Sequence, residues 1–336
     1  MNILVAMPRR YYGHDAYGVV LNTGAMKKLK TLGRVFECPE GFPESYPQAL
    51  AEARAEAVIT FWGSPRLTLP LYRAHPHLKY LCHLGGAIRG VVDRDVLQAG
   101  LAVTNWGNLV ANSVAEAALM MILAALRRVT RLQFEMHVRK EWHGSVAVGP
   151  ESLFGNNVGL HGLGGIAQEL VKLLVPFRCR IAAYSPHCPD SVFAEHGVKR
   201  VETLEELYSG NRIISVHASK TDKNFHIVNA ALLARMPDNG LIVNTARGAV
   251  IDTDALVAEL KTGRIHAALD VYETEPLQAD HPLRGLENCM LIPHHGGPLP
   301  DRYPELAELC VAQIVRYMRG EKLDCLVPPE KYDLIT

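Results

Sequence analysis

Short apolar runs of strand length alternate with helical patterns over the first hundred residues of the chain. Because parallel strands need helical crossover connections, this alternation predicts a parallel α/β sheet. The predicted strands cover residues 3–6, 35–38, 58–62, 78–83 and 101–105, and the predicted helices cover residues 25–32 and 46–57.

A second alternating series begins after the dipeptide formed by Gly149 and Pro150. Its strand candidates cover residues 158–160, 180–184, 213–218, 241–245, 267–271 and 290–292, with helices at 166–174, 229–236 and 254–261. These strands are enough for one complete doubly wound sheet. The chain of 336 residues therefore carries two predicted α/β domains, as expected when single cores rarely exceed ~250 residues.

Two more helices are predicted outside these series. Residues 114–126 are apolar on nearly every side, which predicts burial on several faces. Asn112 or Ser113 is the expected N-cap of this helix, with Glu116 near the capping-box position. Residues 304–322 have the periodicity of an amphipathic helix.

Composition excludes several classes of protein. Apolar residues make up 48% of the chain and charged residues 21%, which is typical of a globular protein and not of a disordered one. Because 35 Lys and Arg balance 35 Asp and Glu, no net positive field favours nucleic acid or a membrane surface as a partner. The seven cysteines include no CxxC pair and no cluster at zinc spacing, which predicts free thiols and no metal site.

The chain shows no targeting pattern. Its first residues form a strand-length apolar run without a basic leader. The apolar helix at residues 114–126 is shorter than the ~20 residues that a bilayer requires. We therefore expect a cytoplasmic protein without a membrane span.

A glycine-rich turn joins the first strand of the second series to its first helix. Gly162, Gly164 and Ala167 form a GxGxxA motif directly after an apolar strand and directly before a helical pattern. In that context the first glycine permits a tight turn, the second lets the backbone approach a pyrophosphate, and the alanine allows close packing of helix and strand. The turn predicts a dinucleotide site, although glycines required only for packing would give the same pattern.

The next strand ends without the acidic residue that usually binds the adenine ribose. Ser185 occupies that position, so the charge that would repel a 2′-phosphate is absent. His187 follows, but no arginine does, and an arginine fork is the stronger phosphate ligand. The cofactor is therefore predicted to be NAD(H) or NADP(H), with the preference left open.

Polar residues follow three later strands, at the edge where open parallel sheets gather their sites. They are Arg247 within residues 243–248, Asp270 and Glu275 within residues 269–276, and His294 within residues 292–297. Taken in order with the glycine turn, with residues 114–116 and with residues 217–221, this series resembles the D-isomer-specific 2-hydroxyacid dehydrogenases. The group contains phosphoglycerate and D-lactate dehydrogenases and glyoxylate or hydroxypyruvate reductases, and the resemblance covers nearly the whole chain.

The resemblance implies an α/β fold in which a Rossmann NAD(P)-binding domain is inserted in a smaller flavodoxin-like substrate domain. Residues 106–295 are the expected Rossmann domain. Residues 1–105 and 296–336 together are the expected substrate domain, so the C-terminal helix belongs with the first hundred residues. A homodimer is a further family expectation.

Three residues are expected to carry the chemistry. Arg247 offers a planar fork for the carboxylate of a 2-oxo acid. His294 is suited to proton transfer at the substrate oxygen. By family position, Glu275 holds the other nitrogen of that imidazole. His295 competes for the acid/base role, but its side chain is expected to point elsewhere in an extended segment.

The resemblance also implies a set of cofactor contacts. They are Gly162, Gly164, Gly165 and Ile166 at the pyrophosphate, Ser185 at the adenine ribose, Thr245 and Ala246 beside the nicotinamide ribose, Asp270 at the carboxamide, and His217, Arg247, His294 and Gly297 at other family positions. For Asp270, a buried cap at a strand end is the alternative interpretation.

A pair of glycines in the first series adds a substrate contact. The backbone amides of Gly86 and Ala87 correspond to the loop that binds the substrate carboxylate in the family, and adjacent glycines leave amides free to form an anion site. Arg89 replaces the usual aspartate nearby, either to bind a second acidic group or, as the simpler alternative, to face solvent. Residues 62–66, 106 and 298–303 are candidate specificity walls.

The sequence thus predicts an NAD(P)-dependent oxidoreductase that interconverts a D-2-hydroxy acid and its 2-oxo acid. One alternative is a phosphite- or formate-type dehydrogenase of the same superfamily; Glu275 argues against the formate type, which has glutamine there. Another is a nucleotide-sensing, corepressor-like binding protein. The particular acid and the physiological direction do not follow from the sequence.

Overall fold

The computed structural model describes residues 1–11, 14–38, 44–142 and 149–335. The chain divides into two compact units. The first consists of Met1–Leu109 and Leu299–Thr336, and the second consists of Val110–Pro298.

Five parallel strands form the sheet of the first unit. In chain order they are Asn2–Val5, Arg34–Glu37, Ala57–Thr60, Tyr80–His83 and Ala102–Thr104. Their order across the sheet is 2-1-3-4-5, which is the flavodoxin-like order. The helices of this unit are Ala16–Val20, Thr23–Leu32, Ser45–Ala53, Leu69–Ala74, Arg94–Gln98 and Tyr303–Met318.

Both faces of this sheet are buried, which explains why its strands are apolar at successive positions. Leu4 and Val58 contribute to the core on one face, and Ile3 and Ile59 contribute to the core on the other. Alternate strand residues point to opposite faces, so a sheet covered by helices on both sides needs apolar residues throughout. A separate two-stranded antiparallel pair, Arg10–Tyr11 with His14–Asp15, was not predicted.

Seven parallel strands form the sheet of the second unit, in the order 3-2-1-4-5-6-7. They are Asn157–His161, Arg180–Tyr184, Lys199–Arg200, Ile213–Val216, Leu241–Asn244, His266–Leu269 and Cys289–Leu291. The first six positions follow the Rossmann order. The helices of this unit are Ala111–Leu126, Val129–Phe134, Gly165–Leu174, Asp190–His196, Leu204–Gly210, Ala230–Leu233 and Thr253–Lys261, and a π-helical turn covers Glu135–Arg139.

The predicted α/β class is confirmed, while several helix boundaries differ. The helix predicted to start after an Asn112 or Ser113 cap begins at Ala111, and Asn112 instead accepts a bond from the Ser113 amide. The helix predicted to extend to residue 57 ends at Ala53, because Arg54 adopts a left-handed conformation and the chain turns into the next strand. The C-terminal helix ends at Met318, four residues before its predicted end at 322.

None of the described helices is long and apolar enough to cross a membrane. Within the same residues, no cluster of His, Cys, Asp or Glu is arranged to hold a metal ion. All seven cysteines are free thiols.

Two histidines, the buried His161 and the half-buried His217, lie at the carboxyl ends of adjacent strands in the second unit. His161 Nδ1 lies 3.3 Å from the hydroxyl of Tyr208, and His217 Nε2 lies 2.9 Å from Ser215 Oγ. Burial lowers the pKa of each imidazole to about 4, and the charge of His161 contributes to the lowered pKa of His217. Both imidazoles are therefore neutral in the folded protein at neutral pH.

We predict that stability falls as the pH drops from about 6.5 to about 4. In this window the unfolded chain, with ordinary histidine pKa values, binds protons that the folded chain excludes. His161→Leu should flatten the dependence of Tm on pH in this range, whereas His137→Leu, at an exposed position, should leave it unchanged. Calorimetric melts of the apoprotein measure both slopes, and equal slopes in all three proteins would contradict the assignment.

Candidate active site

The carboxyl ends of three adjacent strands bring together a histidine, a glutamate and an arginine. The strands Leu241–Asn244, His266–Leu269 and Cys289–Leu291 are parallel neighbours, so the segments that follow them emerge at one edge of the sheet. His294 Nδ1 lies 2.7 Å from Glu275 Oε2. His295 is exposed, and the imidazole that hydrogen-bonds Glu275 is that of His294.

Arg247 belongs to the same cluster, since its charge contributes to the lowered pKa of Glu275. Its Nη1 donates to the carbonyl of Ala246 over 2.6 Å, and the side chain is half-buried. Asn244, at the end of its strand, accepts from the Ala246 amide and donates to the Arg247 carbonyl over 3.0 Å each. This amide side chain sets the turn that presents Arg247, and it has only 1% exposure.

Glu275 is ionised at neutral pH in this arrangement. Burial by itself raises the pKa of the carboxyl group. Hydrogen bonds from His294 and from the Tyr272 amide, together with the charges of His294 and Arg247, outweigh burial and hold the pKa below its ordinary value. An ionised carboxylate at Nδ1 fixes the tautomer of the imidazole, which leaves Nε2 as the nitrogen for proton exchange.

The turn that carries His294 is held by a buried carboxylate. Asp270 accepts from the amide of His295 over 2.7 Å and from the amide of Gly296 over 2.8 Å. His294 itself has a left-handed φ of 55°, an unusual conformation for a residue with a side chain. Asp270 is thus a buried cap at a strand end, which was the alternative interpretation of this residue. Its expected role at the cofactor carboxamide stays a prediction.

The predicted glycine turn lies at the point where the strand order of the sheet reverses. Gly162 has a φ of 104°, and a Cβ on it would lie 2.9 Å from the His217 carbonyl, so the residue must be glycine. Gly164 precedes the helix Gly165–Leu174 and makes no side-chain cap, so the first amides of that helix are available to an anion.

Ser185 follows the neighbouring strand and is half-buried. The structure brings an arginine to this loop that the sequence analysis missed. Arg200 Nη1 donates to the Cys188 carbonyl over 3.1 Å and to Asp190 over 2.9 Å. No local spacing signals this approach, because Arg200 reaches the loop from the end of a separate short strand.

In the first unit, Gly86 and Ala87 follow the strand Tyr80–His83. Among the described residues, neither of their amides donates a hydrogen bond. The Arg89 side chain does not simply extend into solvent, because its guanidinium donates a hydrogen bond to the Asp333 carbonyl near the C-terminus.

Comparisons with known proteins identify the family of the chain. The family model described as "D-isomer specific 2-hydroxyacid dehydrogenase, NAD binding domain" matches residues 119–296, more than half of the chain. The chain belongs to this family.

Individual relatives of this dehydrogenase are also named as dehydrogenases or reductases. A D-3-phosphoglycerate dehydrogenase from Methanocaldococcus jannaschii is 32% identical over 80% of this chain, and the match spans only 51% of that protein. A glyoxylate reductase from Thermofilum pendens is 32% identical over 76% of this chain and 77% of its own length. The crystal structure of a glyoxylate reductase from Paecilomyes thermophila has a TM-score of 0.82, with 27% identity and 98% of each chain covered.

As a family member, the chain is a 2-hydroxyacid dehydrogenase with an NAD-binding domain, and its residues fit a dinucleotide cofactor. A Cβ on Gly164 would meet no atom within 4 Å, so the space beside this glycine is open to a ligand. The hydroxyl of Thr245 is buried and has no hydrogen-bond partner within the described part of the chain. Buried polar atoms are normally paired, so this orphaned hydroxyl fits a position beside a bound group.

We predict that alanine at one of the two glycines weakens cofactor binding and at the other lowers stability. Gly164 has a φ of −81°, so Gly164→Ala should fold normally but weaken dinucleotide binding at least tenfold, because the methyl group fills the space for the pyrophosphate. Gly162→Ala should lower Tm, because its positive φ and the His217 carbonyl leave no room for Cβ. Calorimetry and NADH titration measure the two effects, and unchanged binding in folded Gly164→Ala would contradict the cofactor position.

Proposed function

We propose that this dehydrogenase reduces a small 2-oxo acid to its D-2-hydroxy acid, and catalyses the reverse reaction, with His294 as the acid/base. The 2.7 Å contact between His294 and ionised Glu275 carries the proposal. Bound NADH or NADPH supplies the hydride to C2 of the substrate. His294 gives the proton on Nε2 to the substrate oxygen, and in the reverse direction it takes the proton back.

Arg247 is the proposed substrate anchor. Its position beside Glu275 supports this role, since a guanidinium fork there binds the substrate carboxylate and polarises the adjacent carbonyl. The amides of Gly86 and Ala87, which donate no hydrogen bond within the described part of the chain, are the proposed further donors to the carboxylate. The names of the relatives, glyoxylate reductase among them, support a small substrate.

Two other properties stay predictions. A homodimer is supported by exposed apolar side chains on the segment that follows the long helix, namely Phe134, Met136, Val138 and Trp142. A cytoplasmic location is expected from the sequence pattern alone.

The decisive experiment crosses NADH and NADPH with a panel of glyoxylate, hydroxypyruvate, pyruvate and branched 2-oxo acids. We expect oxidation of the cofactor with at least one of these acids. His294→Gln should reduce kcat by ~10²-fold or more with little change in dinucleotide affinity, while His295→Gln retains most activity. Lack of turnover across the panel, or turnover of formate or phosphite alone, would overturn the proposal.

Cofactor preference has its own test. Ser185→Asp should shift the ratio of kcat/KM toward NADH, because a carboxylate at this position accepts from the ribose hydroxyls and repels a 2′-phosphate. The control is Ser191→Asp, which adds the same charge at an exposed position six residues further along the chain. An equal ratio in the wild type and in Ser185→Asp would show that other residues, such as Arg200, set the choice.

A further inference from the structure

The proposed carboxylate loop, residues 85–87, is held from one side by two hydrogen bonds. The backbone amide of Trp106 donates to the Gly85 carbonyl over 3.2 Å. The side-chain amide of Asn105 donates from Nδ2 to the Gly86 carbonyl over 2.8 Å. The carbonyls of Gly85 and Gly86 therefore face residues 105 and 106.

Because the peptides are planar, the hydrogen bonds to the Gly85 and Gly86 carbonyls also fix the direction of the Gly86 and Ala87 amides. In a trans peptide the carbonyl of one residue and the N–H of the next point in opposite directions. Neither the peptide that follows Gly85 nor the one that follows Gly86 is cis. The N–H groups of Gly86 and Ala87 therefore point away from Asn105, side by side, as an anion site requires.

Asn105 is itself fixed in place. Its Oδ1 accepts from the Gly107 amide over 2.9 Å, and its backbone amide donates to the Cys325 carbonyl over 3.3 Å. The residue has 8% exposure, so water does not readily replace its bond to the Gly86 carbonyl. A carboxylate at this position would keep the acceptor for Gly107 and present an oxygen, in place of a donor, to that carbonyl.

A buried histidine supports the same loop from beneath. His83 has 1% exposure, and its Nδ1 lies 3.0 Å from Thr60 Oγ1. A Cβ on Gly85 would lie 2.3 Å from His83 Nε2, so the imidazole occupies the space of the missing side chain. Burial lowers the pKa of His83 to about 3, and an interaction with the Ala87 backbone opposes this effect only in part. The His83 imidazole is therefore neutral at neutral pH.

We propose that Asn105 is a positioning residue for the substrate carboxylate, acting through the Gly86 carbonyl to aim the Gly86 and Ala87 amides at the ligand. The inference rests on the proposed function, because it takes these amides as donors to the substrate. Asn105 is expected to affect the affinity for the substrate and not the rate of hydride transfer.

The test compares Asn105→Asp and Asn105→Ala with Asn108→Asp, a matched control that adds the same charge at an exposed position three residues away. We expect Asn105→Asp to raise KM for the 2-oxo acid at least tenfold and Asn105→Ala to raise it several-fold. The affinity for NAD(P)H should stay unchanged and kcat should change less than twofold. Asn108→Asp should behave as the wild type.

A binding measurement removes the dependence on turnover. The Kd of oxamate, an unreactive analogue of a 2-oxo acid, is measured by titration in the presence of reduced cofactor and should rise in parallel with KM. Melting curves identify any variant that fails to fold, and Asn105→Ala then decides the question because it adds no charge.

Three outcomes overturn the inference. The first is an unchanged KM in folded Asn105→Ala and Asn105→Asp. The second is an effect of Asp without any effect of Ala, which would reveal only charge repulsion. The third is a loss confined to kcat. A wild-type enzyme that turns over no 2-oxo acid would instead overturn the proposed function, so the two failures are distinguishable.

Discussion

The active-site edge of the second unit depends on one buried carboxylate. Asp270 has 2% exposure, and both of its oxygens accept backbone amides from the turn that carries His294. A buried charge is costly unless hydrogen bonds satisfy it, so the carboxylate and the turn stabilise each other. This turn holds His294 in a left-handed conformation, with its Nδ1 in a hydrogen bond with Glu275.

A similar arrangement recurs at two other strand ends, one in each unit. Asn244 closes the turn before Arg247 with two hydrogen bonds, as Asp270 does for His294. In the first unit, Asn105 fixes the Gly86 carbonyl. In each case a short, buried polar side chain binds backbone groups of the segment that carries a candidate site residue.

Local patterns predicted the α/β class, the glycine turn and the segments that contain Arg247, Glu275 and His294, because each depends on residues close together in the chain. The N-cap expected at Asn112 or Ser113 was wrong, because the helix begins earlier, at Ala111, after the apolar Val110, which makes no side-chain cap. Asn105 and Arg200 were missed for a different reason. Their partners, Gly86 and Cys188, lie many residues away, and only the folded chain brings them together.

We propose that Glu275, held against His294, prepares the imidazole for proton transfer. The most direct measurement is the single-turnover rate of hydride transfer at saturating substrate and cofactor, in Glu275→Gln and in Glu273→Gln. Glu273 lies in the same loop but binds His226 and the Thr253 amide, so its substitution removes an equal charge outside the cluster. We expect at least a ~10-fold slower rate in Glu275→Gln and a near-normal rate in Glu273→Gln. Equal rates in the two variants would show that Glu275 does not have this role.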